Sequence, residues 1–116
     1  MTDLQARLRA DLITARKARD SATTAVLRST LAAISNAEAL PVAEASPTSD
    51  GPIAGAATGV GTTEAVRRAL TDDDIRAIIS IEQTERMSAA TDLESHGAGE
   101  KAEQLRAEAE LLAAYI

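Results

Sequence analysis

The chain holds one histidine, His96, and no cysteine. Zinc centres and nucleophilic triads need imidazoles or thiolates at set spacings, and none can be drawn from a single ring. Leu93 stands three residues before His96, so the Glu-x-x-His pair of helical di-metal sites is missing as well. Since Gly97 follows, His96 reads as a helix C-cap. Glu82 with Glu85, and Glu108 with Glu110, have spacings that an acid and a base could use. Solvated helix faces have the same pattern, and no catalytic carboxylate is nominated. Thr71-Asp72-Asp73-Asp74 lacks the glycine and distal glutamate of a calcium loop, and reads as a helix start with three carboxylates in the positive first turn. Gly55 to Thr62 is rich in glycine but has no lysine to meet a phosphate, and Glu64 stands where a third glycine of a dinucleotide loop would be. The sequence therefore leads to the expectation of no catalytic residue, no metal and no cofactor.

The chemistry left is that of charge. Arg7, Arg9, Arg16, Lys17 and Arg19 cluster near the start, and Arg67 and Arg68 lie beyond the middle. Guanidinium and ammonium groups in such number can neutralise phosphates, which makes these seven the candidate RNA contacts. The formal net charge is −6, unevenly spread. Residues 1 to 40 carry six bases and four acids, whereas residues 71 to 116 carry four and eleven. This balance argues against broad nucleic-acid coating and confines phosphate binding to a local patch at the front.

Helices must position these groups. Of 116 residues, 26 are alanine and Tyr115 is the only aromatic, so a sheet core of aromatic and β-branched residues is excluded. Leu4, Leu8, Leu12 and Ala15 recur at spacings of four and three on one stripe, behind a cap at Thr2 or Asp3. Leu27, Leu31 and Ile34, widened by Val26, Ala33 and Ala37, form a second stripe behind Asp20 or Ser21. From Pro41 to Thr63, prolines, glycines and small residues predict a flexible loop, 41 to 63. Ile75, Ile78 and Ile79 open a third apolar face, interrupted by Glu82 and ended by Gly97 and Gly99. Ala102, Leu105, Ala109 and Leu112 make a fourth. The expected fold is all-α: two αα-hairpins in one small bundle over residues 1 to 116, with helices near 3 to 18, 21 to 39, 71 to 95 and 99 to 115. No apolar run approaches the roughly 20 residues of a membrane span, and no secretory pattern opens the chain, so a cytoplasmic location is expected.

Specific residues carry a further resemblance. Ala15-Arg16-Lys17-Ala18-Arg19-Asp20, then Leu27-Arg28 with Leu31-Ala32-Ala33-Ile34 and Asn36-Ala37-Glu38, resemble the first two helices of the GatB/YqeY family. Leu70-Thr71 with its aspartates, Ile78-Ile79, Glu82, Arg86 and the break at Gly97 are similar to that family's third helix. Ala107-Glu108, Leu111-Leu112 and Tyr115-Ile116 are similar to its last stretch before a Leu-Pro junction. The resemblance implies a non-catalytic accessory helical module, associated with glutamine-dependent aminoacyl-tRNA amidotransferases, which are carbon-nitrogen ligases with glutamine as nitrogen donor. It also marks Asn36, Glu38 and Arg86 as polar motif positions, and implies weak contact with tRNA. The family's tail domain, associated with tRNA contact, is not among these residues. A protein-interaction or self-association role is the alternative. Arg28, beside a core leucine, and Glu82, interrupting an apolar stripe, are expected to form a buried ion pair.

Overall fold

A computed structural model describes residues 2–39 and 68–116. Among these residues the fold is four helices with no strand: α1 (Asp3–Lys17), α2 (Ser21–Ala39), α3 (Asp72–Ser95) and α4 (Gly99–Ala113). All four expected segments are present, with ends shifted by a residue or two. The loop expected at 41 to 63 lies outside the described residues, as does Arg67.

Three of the four helix starts carry a side-chain cap; α4 begins behind Ala98 without one. The Thr2 hydroxyl accepts from the Gln5 N–H at 3.1 Å, and Asp20 accepts from the Thr23 N–H at 3.1 Å, so each satisfies an amide that has no partner within its helix. Thr71 and Asp74 form a reciprocal capping box, with bonds of 3.1 and 3.0 Å. The Thr71 N–H and hydroxyl hold the Asp74 carboxyl below its ordinary pKa, and the Thr23 hydroxyl and N–H do the same for Asp20. Groups with a depressed folded-state pKa stabilise above their unfolded value. That stabilisation is lost as the pH falls through the carboxylate range and below it.

Both hairpins turn in the same way. After α1, the Asp20 N–H reaches the Ala15 carbonyl at 2.9 Å and the Arg19 N–H reaches the Arg16 carbonyl at 3.1 Å. After α3, the Ala98 N–H reaches Leu93 at 2.8 Å and the Gly97 N–H reaches Glu94 at 3.1 Å. These are paired Schellman bonds, which require a left-handed residue just past the helix. Gly97 takes that conformation at φ +84°, whereas Arg19 takes it at φ +59° with a side chain attached.

The core contains Leu4 and Leu8 of α1, Val26, Leu27 and Ile34 of α2, Ile75 and Ile79 of α3, Leu112 of α4, and Tyr115. Leu12 and Leu31, expected on the core stripes, are half-buried at its edge. Ala90, Ala102 and Ala109 are fully or almost fully buried along the α3–α4 pair. Small side chains there let two helix backbones come close with little apolar bulk between them. The hairpins are joined at one end. The Leu4 N–H donates to Asp72 Oδ1 at 3.3 Å, so a first-turn carboxylate of α3 serves an orphan amide of α1. The Arg68 N–H donates to the Glu38 carbonyl at 2.8 Å at the end of α2.

The two turns should respond oppositely to substitution. A Cβ at Gly97 would meet nothing within 4 Å, so Gly97→Ala carries only the left-handed backbone cost, about 1–2 kcal/mol. Arg19→Gly removes that cost and should leave stability unchanged or raise it by about 1 kcal/mol. Urea denaturation of the two variants checks this, and a large loss for Arg19→Gly would contradict it.

Candidate functional site

Three polar constellations stand on this frame. The first is the basic set of α1. Arg9, Arg16, Lys17 and Arg19 are exposed, and among the described residues none of them joins an ion pair. Arg9 and Arg16 lie seven residues apart, two helical turns, and share one flank of α1. Lys17 and Arg19 extend the patch around the turn, and Arg16 and Lys17 occupy the last turn of α1, where the helix dipole favours cations. Arg7 is diverted from the patch. Its guanidinium lies 4.7 Å from the centre of the Tyr115 ring and donates to the Ala114 carbonyl at 3.1 Å. Arg68 is exposed near the start of α3, at the joined end of the hairpins and away from the α1–α2 turn.

The second constellation replaces the expected Arg28–Glu82 pair. Arg28 is exposed: one residue past Leu27, it is turned about 100° away from the core face of α2. Glu82 does face inward, but its partner is Arg86, one turn along the same helix, at 3.0 Å. Arg86 Nε also reaches Glu108 of α4 at 3.3 Å, and the three side chains are only 13–18% exposed. Ser29 Oγ of α2 donates to Glu82 at 3.5 Å, and Gln83 Nε2 donates to the Ala109 carbonyl at 2.9 Å. One guanidinium thus joins the middle of α3 to α4, with α2 on its margin. The i,i+4 spacing of Glu82 and Arg86 was legible in the sequence; the approach of Glu108 depends on the tertiary fold. Of the other motif positions, Asn36 is exposed, and half-buried Glu38 accepts from Gln5 Nε2 at 3.4 Å. Gln5, buried in α1, is a polar residue that sequence reasoning did not single out.

The third constellation surrounds Tyr115, just past α4. Its hydroxyl donates to Asp11 Oδ2 at 2.5 Å, while Arg7 lies over its ring. Burial first, then the bond to Asp11 and that carboxylate's charge, push the Tyr115 hydroxyl up to about 12, against the pull of Arg7. A groove of about 460 Å³ opens beside it, between the α1–α2 turn and the end of α4, with Ala15, Ala18 and Leu111 on its walls and Asp20 and Glu110 at its rim. Its acidic rim makes it an unsuitable place for phosphate.

His96 caps α3, with Nδ1 donating to the Asp92 carbonyl at 2.8 Å. Among the described residues no three His, Cys, Asp or Glu side chains are grouped to hold a metal ion, and no helix is long and apolar enough to cross a membrane. In comparisons with known proteins, no family model, curated protein or solved structure matches the chain.

Two measurements test this geometry. Arg86→Ala leaves two carboxylates facing each other without a cation and should cost about 2–3 kcal/mol, whereas Arg28→Ala should stay within about 0.5 kcal/mol. Urea unfolding reports both, and equal losses would contradict the assignment. Tyr115 is the only tyrosine and there is no tryptophan, so absorbance near 295 nm follows one phenol. Its midpoint should fall near pH 12, and Asp11→Asn should lower it. A midpoint near 10, the ordinary value, would show that the phenol is not held as described. Because the folded pKa is raised, Tyr115 contributes its full stability below pH about 10 and loses that contribution as the pH rises towards 12.

Proposed function

We propose that this chain is a non-catalytic accessory helical module of the GatB/YqeY kind, acting in the cytosol and touching tRNA weakly through the basic end of its first helix. One observation supports this reading above the others. Arg16, Lys17 and Arg19 are exposed around the α1–α2 turn and engage no acidic partner among the described residues. With Arg9 they can neutralise only a few phosphates. Binding of that kind is mainly independent of sequence and fades between low and physiological salt. The net charge of α3 and α4 is acidic, which adds repulsion and keeps the contact local. The amide-transfer chemistry associated with the family belongs to other domains and subunits in this reading.

A second reading, self-association or protein docking, is supported by Ile13, Ile81 and Met87, which are 53%, 57% and 44% exposed on helices.

Fluorescence anisotropy with labelled tRNA, read across a salt series, tests the first reading. Weak binding at low salt should be lost when Arg16, Lys17 and Arg19 are replaced together by Gln, with helicity unchanged. Tight binding near physiological salt, or binding indifferent to the triple substitution, would place the contact elsewhere; absence of binding at low salt would leave the docking role.

A further inference from the structure

The outward faces of α1 and α3 match each other. On α1, Ala6, Ala10, Ile13 and Lys17 are exposed at spacings of four, three and four. On α3, Ala77, Ile81, Thr84 and Ser88 repeat the same spacings, also exposed. This is the seam spacing of paired helices, in which each position of the 4-3 pattern faces the partner. Ile13 and Ile81, both more than half exposed, lie near the middle of the two seams.

The borders of these seams are charged, with opposite sign. Arg9 and Arg16 follow one edge of the α1 seam, seven residues apart. Glu85 and Asp92 follow the facing edge of the α3 seam, again seven apart. None of the four joins an ion pair among the described residues. If the two helices run parallel with Ala10 level with Ile81, then Arg9 comes against Glu85 and Arg16 against Asp92, the edge pairing that sets partner and direction in coiled coils. Within one chain the two faces cannot meet, because α1 turns its Leu4 and Leu8 side towards the core that it shares with α3.

We propose that the occupant of the α3 outer face is α1 of a second copy of this chain, docked parallel and held by Arg9–Glu85 and Arg16–Asp92 pairs. The two surfaces differ, so the contact is heterologous: each copy keeps one face open and the chain of contacts continues or closes into a ring. The 15 residues of α1 give a seam about 22 Å long, below the size of a stable interface, so association is weak, with a dissociation constant of roughly 10⁻⁴ M. The proposal deepens the docking reading, and it shares Arg9, Arg16 and Lys17 with the RNA reading.

Light scattering and sedimentation of the RNA-free protein over a concentration series test it. Wild type should gain mass with concentration and lose that gain at high salt. Ile13→Glu and Ile81→Glu should each be monomeric with unchanged helicity, since both positions are exposed. Their equimolar mixture should form a one-to-one dimer and nothing larger, because each variant keeps one intact face. Joint reversal of the border charges (Arg9→Glu, Arg16→Glu, Glu85→Arg and Asp92→Arg) should restore an assembly that Arg9→Glu with Arg16→Glu alone abolishes. A monomeric wild type, assembly of Ile13→Glu by itself, a monomeric mixture, or no rescue by charge reversal would each overturn the proposal. Ile81→Glu leaves the basic patch intact, so its tRNA binding at low salt reports on the RNA reading separately.

Discussion

The register of α3 against α4 depends on how Arg86 is held. Half of the apolar residues in this chain are alanines, and past Ile75 and Ile79 few large side chains are buried to bind α3 to α4. Along α3 and α4 half of the six buried positions are alanines, Ala90, Ala102 and Ala109, which allow close backbones but bury little surface each. A guanidinium with one carboxylate from its own helix and one from the neighbour adds what alanine cannot, a contact with a fixed direction and register. The cost of desolvating the three groups is reduced because they are not fully buried, and Ser29 gives Glu82 a further partner.

The same economy governs the ends of the bundle. Asp72 begins α3 and also receives the Leu4 N–H of α1, so one carboxylate lies near the positive ends of two helices. Glu38 receives Gln5 while its carbonyl receives the Arg68 N–H, which draws the end of α2 to the starts of the other two. Midway along α1 Tyr115, the only tyrosine, joins the core and is held by Asp11 and Arg7. That arrangement has a functional consequence. It removes Arg7 from the basic patch and leaves Arg9, Arg16, Lys17 and Arg19 to face solvent.

Much of the architecture was legible because helices declare themselves locally. Thr71 with Asp74, the isoleucine spacing after them and Gly97 mark α3 from end to end, and Thr2 with Leu4, Leu8 and Ala15 marks α1. The misreadings concern contacts between elements. The sequence pairs Arg28, which follows a core leucine, with Glu82, which interrupts an apolar stripe, but a residue beside a core leucine is turned about 100° from it, and Arg86 is already one turn from Glu82. Tyr115 meeting Asp11 spans 104 residues and has no local signal at all. The tight turn at Arg19-Asp20 is legible from the Asp20 cap, but the left-handed conformation of Arg19 is not, since no glycine announces it. The exposed cations were found by residue type alone, and what binds them is not written in their spacing.

A double-mutant cycle between Arg86 and Glu108 tests most directly whether this side-chain bridge ties α3 to α4. With Arg86→Ala, Glu108→Ala and the double variant compared by urea unfolding, the bridge implies a coupling of about 1 kcal/mol or more. Losses that simply add, with no coupling between the two positions, would contradict it and leave the apolar contacts and the Gln83 bond to hold the two helices together.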